Sequence, residues 1–212
     1  MRRYTFIDSL VGTADNVLRT LAGGYQTTSR TSPAQKEPET TLSDSEKRKV
    51  SGLMRINHCG EVCAQGLYQG QSLTAKLPEI RNKMQEAAKE ENDHLEWCHQ
   101  RLEELDTHTS YLNPFWYASS LSLGALAGLA GDKWSLGFVV ETERQVVKHL
   151  ESHLKQLPEH DKRSIRILEV MKDDEQQHAT TALQAGGAEL PKPIKFAMTV
   201  MSKVMTKTVY HI

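Results

Sequence analysis

Apolar positions recur at three- and four-residue spacing along most of the chain, and the stripes they draw predict an all-α fold. Residues 78–106 give the clearest case. Met84, Ala87, Ala88, Leu95, Cys98, Leu102 and Leu105 share one face, and Glu91 lies on it. Residues 161–185 repeat the arrangement, with Leu168, Met171 and Ala182 in line with Glu175 and His178. Residues 133–157 carry Val146, Val147, Leu150 and Leu154 beside Glu143. Residues 43–75 predict a longer helix whose inward side is unusually polar: Met54, Asn57, His58, Glu61, Ala64, Gln65 and Tyr68.

Punctuation supports these bounds. Ser43 and Glu46 have the spacing of a capping box, Pro78 suits a first helical turn, Asp161 can cap, and Gly186-Gly187 is a strong stop. Only Lys76-Leu77 separates 43–75 from 78–106, so these two helices must be antiparallel neighbours.

The flanks are less regular. Residues 4–21 predict an amphipathic helix with Phe6, Ile7, Leu10, Val11, Ala14, Val17, Leu18 and Leu21 on one face, docked on the bundle by default or else lying on a membrane surface. Residues 25–42 are Thr, Ser, Pro, Gln and Glu with almost nothing to bury, and read as a flexible linker. The chain thus divides into 1–42, helix and linker, and 43–212, the bundle domain. Residues 114–131 are apolar on nearly every side, with Phe115, Trp116 and Tyr117 leading into Leu, Ala, Gly and Ser. Two seats are open for them: a buried crossover between helix pairs, or a dip into one bilayer leaflet. A last amphipathic segment, 194–210, is basic and Met-rich, and either packs on the bundle or helps hold a membrane surface.

The carboxylates on the stripes carry the chemistry. A buried carboxylate is costly unless it is paired or binds metal. Glu91-x-x-His94 and Glu175-x-x-His178 each put an acid and an imidazole one turn apart on an inward face. A further Glu precedes each, Glu61 by thirty residues and Glu143 by thirty-two. The two triplets are related by 82 to 84 residues (61 to 143, 91 to 175, 94 to 178). Four Glu and two His are the ligand set of a carboxylate-bridged di-metal four-helix bundle, and hard carboxylates with two imidazoles suit iron or manganese. Glu90, Asp93 and Glu96 read as a solvated face, Glu141 as lying on a wet face, and Asp173 and Asp174 as pointing off the stripe. His58 reads as a hydrogen-bonding neighbour rather than a ligand; His149 is either a neighbour of the site or a partly exposed helix residue.

Composition excludes several classes. With 212 residues, 25% charged and a net charge of -1, the chain offers no basic stripe for nucleic acid. Mean hydropathy is -0.53, and no run approaches the roughly 18 apolar residues of a spanning helix. The basic start Met1-Arg2-Arg3-Tyr4 has no signal-peptide core after it, and Asp8 and Asp15 argue against a mitochondrial presequence. Three cysteines, Cys59, Cys63 and Cys98, argue against a disulfide scaffold and fit packed helices in a reducing compartment.

The runs Arg55-Ile-Asn-His-Cys-Gly-Glu61, Glu90-Glu-Asn-Asp-His-Leu-Glu-Trp97, Glu141-Thr-Glu-Arg-Gln-Val-Val-Lys-His149, Asp174-Glu-Gln-Gln-His-Ala179 and Gly186-Gly-Ala-Glu-Leu-Pro-Lys-Pro193 resemble the demethoxyubiquinone hydroxylase family of ubiquinone biosynthesis, in its bacterial form, over roughly residues 43–212. The resemblance implies a ferritin-like four-helix bundle with two iron ions. Its ligands fall on Glu61, Glu91, His94, Glu143, Glu175 and His178, with Glu91 and Glu175 bridging. It implies a monooxygenase that uses O2 to hydroxylate a polyprenylated benzoquinone, peripheral on the cytoplasmic side of the cell membrane, as a homo-oligomer or within a ubiquinone-biosynthesis complex. Site architecture alone does not separate this from a ferritin-like iron store or peroxide scavenger, or from a metal-free bundle with a polar core.

Overall fold

The computed structural model describes residues 6–28 and 30–212. The basic start Met1-Arg2-Arg3-Tyr4 and the side chains of Phe6, Ile7 and Leu10, used in the amphipathic reading, lie outside the described residues. Among the described residues there are seven α-helices and no strand: α1 (Phe6–Ala22), α2 (Asp44–Thr74), α3 (Pro78–Glu104), α4 (Asn113–Ala130), α5 (Asp132–Leu154), α6 (Lys162–Gln184) and α7 (Lys192–Val209), with a short 3-10 turn at Pro33–Lys36.

The sequence signals set the ends. Ser43 Oγ accepts from the Glu46 amide while Glu46 Oε2 accepts from the Ser43 amide at 2.9 Å, a complete capping box on α2. Asp161 Oδ1 accepts from the Ser164 amide at 3.1 Å to start α6. Gly186 ends that helix at φ 99°, a conformation costly for any residue with a side chain.

Helices α2, α3, α5 and α6 form the bundle, α2 pairing with α3 and α5 with α6. Its interior is layered. One apolar layer joins Leu53 and Met54 with Trp97, Leu102, Leu150, Leu168 and Met171. A second joins Ala64 and Tyr68 with Ile80, Met84, Leu136, Val139 and Ala182. The acid–imidazole positions of all four helices fall between these layers. Apolar packing above and below therefore holds the polar middle in register, and water is kept from it.

The segment 114–131 forms most of α4, which connects α3 to α5 and lies along α2 outside the four-helix set. Helix α1 sets Val17 and Leu21 against Val62, Leu95 and Tyr117.

Of residues 25–42, expected as a flexible linker, the described residues 25–28 and 30–42 run across the bundle as a strap. The Tyr25 hydroxyl sits 2.8 Å from His58 Nε2 and 3.0 Å from His99 Nδ1. The Thr28 amide donates to Asp93 at 2.7 Å, Arg30 pairs with Asp174 at 2.7 Å, and Ala34 is buried in the first apolar layer. Glu39 meets Arg101 and Arg163. The strap is held by polar pairs and buries little apolar surface, so hydrophobic periodicity did not register it.

Candidate metal centre

Each of the four bundle helices delivers its acid to the middle layer. Glu61, Glu91, Glu143 and Glu175 are at most 3% exposed, and His94 is fully buried. Glu61, Glu91, His94 and Glu175 each offer a ligand atom within 4.8 Å of the others. His94 Nδ1 lies 2.9 Å from Glu91 Oε2 and 3.2 Å from Glu175 Oε1. His178 Nδ1 lies 3.1 Å from Glu91 Oε1 and 3.3 Å from Glu175 Oε2. Glu91 and Glu175 thus each face both imidazoles. Glu143 and His178 stand outside the 4.8 Å group; Glu143 takes a hydrogen bond from the Tyr68 hydroxyl and feels the charge of His178.

Electrostatics show what this layer needs. Burial, then the charges of Glu175 and Glu91, push Glu61 and Glu143 well above the ordinary carboxylate range. Burial opposes the charge on Glu91 too, but hydrogen bonds from His178 and His94 outweigh it and hold that acid low. His178 is pushed up to about 12, because its hydrogen bonds to Glu175 and Glu91 override the burial that would discharge it. His94 is raised for the same reason, with Asp174 added. Without metal the cluster therefore keeps protons to offset its negative charge. Two divalent cations would offset four carboxylates and let both imidazoles be neutral ligands. Glu91 Oε1 is buried with the His178 ring nitrogen beside it at 3.1 Å, and a cation would replace the proton that pair now shares. The donor set suits hard divalent metal.

The outward nitrogens of the imidazoles have partners that the sequence reading set aside. His94 Nε2 lies 3.0 Å from Asp174 Oδ2, and His178 Nε2 lies 2.6 Å from Glu90 Oε2. Neither acid is idle: each stands one residue before a central Glu and crosses to the imidazole of the other helix. Such carboxylate partners orient a ligating ring and fix its tautomer. The 84-residue repeat that relates Glu91 to Glu175 also relates Glu90 to Asp174, a signal that was available. Asp93, also read as solvated, is fully buried and accepts from Thr28. Glu141, read as wet, is 8% exposed with Lys195 Nζ at 3.4 Å, because α7 covers it.

His58 is buried among Tyr25, His99 and Asn113, a hydrogen-bonding position. His149 is half-buried beside Ser202. The cysteines are unpaired; Cys98 donates to the Met171 sulfur at 3.7 Å.

Beside the cluster lies an apolar cavity of about 170 Å³ between α2, α4, α5 and α7. Leu67, Leu123, Phe138, Val146, Met201 and Met205 are in its wall, with Thr142, Gln145 and His149 as polar points. Glu61 is in the same wall, so the cavity and the acid cluster share a side chain.

Comparison with known proteins agrees with this geometry. The family model described as "Ubiquinone biosynthesis protein COQ7" matches residues 48–209. The chain is 58% identical over 212 residues to the 3-demethoxyubiquinol 3-hydroxylase of Acinetobacter baylyi, covering 100% of both. It is 59% identical over 211 residues to the protein of the same name from Azotobacter vinelandii, covering 100% of this chain and 98% of that one. Among solved structures, a dodecameric thioferritin, the bacterioferritin-related protein of Bacteroides fragilis, aligns with a TM-score of 0.55 at 16% identity over 65% of this chain and 84% of that one. At that identity the likeness is one of fold, a ferritin-like bundle.

Proposed function

The chain belongs to the COQ7 family of ubiquinone biosynthesis, and from that premise we propose that it is a monooxygenase hydroxylating the ring of a 2-polyprenyl-3-methyl-6-methoxy-1,4-benzoquinone, or its quinol, at a di-iron centre. Glu61, Glu91, His94, Glu143, Glu175 and His178 would hold the two ions. Bound iron would supply the activation of O2; with two electrons and two protons, taken from the quinol form of the substrate or from an external reductant, one oxygen atom would enter the ring and the other leave as water. Asp174 and Glu90 hold the two imidazoles in one orientation. The apolar layers exclude bulk water from the acids.

The observation that carries this reading is Glu61 standing in the wall of the apolar cavity. A quinone ring in that cavity is next to the metal layer, in a dry, shaped chamber. Thr142, Gln145 and His149 are among the polar groups available to its oxygen substituents, with Asn57, Ser120 and Ser202. An iron store is less well served, because a hydrated ion gains nothing from an apolar chamber.

The cavity also supports a peripheral seat on the cell membrane. Helices α4 and α7 flank it, and both present apolar side chains outward: Phe115, Leu126 and Leu129 on one, Phe196, Val200 and Val204 on the other. Lys192, Lys203 and Lys207 of α7 provide charge for anionic headgroups. Among the described residues no helix is long and apolar enough to cross a membrane, so such a contact is interfacial.

The test is iron content combined with genetic rescue. Wild type is expected to carry about two irons per chain, as the ligand set requires, and to restore ubiquinone in cells lacking the gene. Glu175→Ala is expected to lose iron and to leave demethoxyubiquinone accumulating. Two irons with unchanged quinones would remove the substrate; no iron in either protein would remove the metal centre as well.

A further inference from the structure

The two halves of the cluster repeat each other in sequence but not in surroundings. Behind His94 the protein is more covered: the imidazole is fully buried, and the partly exposed Asp174 and Arg30, 23% and 39%, stand in front of it as an ion pair. Asp174, which receives its Nε2 at 3.0 Å, is itself held by Arg30 Nη2 at 2.7 Å. The Arg30 guanidinium also covers the Trp97 ring at 5.0 Å, and Trp97 packs against the His94 ring at 5.4 Å. Arg30 belongs to the strap, which is anchored by Thr28 on Asp93 and by Tyr25 between His58 and His99. Behind His178 the protein is open. The side chain of His178 is 12% exposed and that of Glu90 is 53% exposed, and among the described residues no Lys or Arg pairs with Glu90.

A metal ion reaches its site carrying charge and water, so its path must be polar. The apolar cavity on the Glu61 side is a poor route, and the strap covers most of the Asp174 side. Among the described residues two polar approaches remain at the Glu143 and His178 end: the surface carboxylate of Glu90 with the imidazole behind it, and a polar cavity of about 880 Å³ lined by Gln65, Tyr68 and Asn92. We propose that the two metal positions are unequal: the one served by His178 exchanges with solvent at the more exposed Glu90 end, where Glu90 slows release by holding the imidazole, while the one served by His94 is held more tightly by the strap through Arg30 and Asp174. This rests on the six-ligand reading above. In it Glu90 and Arg30 are positioning residues that bind no ion in the loaded centre.

The experiment uses full-length protein loaded anaerobically with Fe(II), counted for iron, then mixed with excess ferrozine while release is followed by colour. Two phases of equal amplitude are expected, separated by about tenfold or more in rate, since orienting partners of this kind are worth roughly 10- to 100-fold in metal affinity. Glu90→Gln is expected to accelerate the fast phase alone, and Arg30→Gln the slow phase alone. Arg30→Lys, which keeps the charge but loses the planar fork over Trp97, should do so more weakly, and serves if Arg30→Gln does not fold. His178→Ala should retain one slowly released ion. A single phase from protein holding two irons would overturn the inequality and leave the six-ligand reading standing. So would variants that accelerate both phases alike, or a His178→Ala protein whose remaining ion leaves fast. Protein that binds no iron would overturn the six-ligand reading and this inference with it.

Discussion

Gly124 of α4 sits so close to α2 that a Cβ on it would overlap the carbonyl oxygen of Leu67, and Gly70 of α2 stands in the same relation to the carbonyl of Leu121. The two helices meet backbone to backbone, and this contact places α4 as one wall of the apolar cavity. In a free helix, Gly→Ala gains about 1 kcal/mol. Here Gly124→Ala and Gly70→Ala are each expected to lose about 1–3 kcal/mol through overpacking. For a chain of this size each kcal/mol lowers the thermal midpoint by about 2–4 °C. An unchanged or raised midpoint would mean that α4 is not seated on α2 in this way.

Tyr68 reaches Glu143 from the second apolar layer, and its hydroxyl is the hydrogen bond the structure gives that buried acid. Burial and then the charge of Glu143 raise the tyrosine far above its ordinary range, so it stays a donor at any working pH. Tyr68→Phe is expected to keep the helical fold and to weaken metal binding by about 10- to 100-fold, measured by competition with a chelator. Wild-type affinity in this variant would mean that Glu143 does not serve the metal through that contact.

Acid should unfold the protein through two histidines that are not among the six. Burial, with the charge of His99 adding to it, pushes His58 down to about 3; burial, with His149, pushes His153 down to about 4. Both rings are neutral when folded and take protons on unfolding below their ordinary value of 6.5. The unfolded state then binds more protons, and stability rises with pH in that window. Their contribution is full above pH 6.5 and drains away as pH falls toward 4 and then 3. Urea unfolding of metal-free protein across this range should show that loss. His58→Gln should flatten it, and an unchanged slope would reject the assignment to His58.

Much of the bundle was legible because its determinants are local. The stripe through Met84, Glu91, Leu95 and Leu102 is a property of one helix, and the 84-residue repeat fixes its counterpart. What was illegible depends on partners distant in sequence. Asp93 looks like a surface acid until Thr28, 65 residues away, covers it. Asp174 gains meaning only from His94, 80 residues away, and Glu90 from His178, 88 residues away. Glu141 is dry because α7 returns over it. Periodicity reports which way a residue faces on its own helix; it does not report what is later laid across that face.

The outward apolar residues of α7 give a direct test of the membrane seat. Phe196 is 71% exposed, with Val200 and Val204 following on the same helix. Phe196→Glu with Val204→Glu removes apolar area without touching the cavity wall, and adds charge that anionic lipid repels. Co-sedimentation with vesicles containing anionic lipid is expected to fall by at least about tenfold, as loss of two apolar anchors implies. Iron content and thermal midpoint should stay as in wild type. Equal binding by both proteins would place the membrane contact elsewhere.

Gly60 separates the cavity from the metal centre experimentally. It lies in the cavity wall next to Glu61, and nothing stands within 4 Å of where its Cβ would be. A small side chain there meets no clash, and the backbone is helical, so Gly60→Ala is expected to stabilise the protein by about 0.5–1 kcal/mol. A large side chain must project into the space assigned to the quinone ring. Gly60→Phe is therefore expected to hold the wild-type amount of iron, to fold normally, and to raise the KM for a short-tailed quinone by at least about tenfold, the effect of losing roughly 1.4 kcal/mol of ring binding. Loss of iron in Gly60→Phe would show that the helix had shifted and Glu61 with it. Normal iron with normal hydroxylation would mean that the ring reaches the centre by another path, and the cavity shared with Glu61 would no longer carry the substrate.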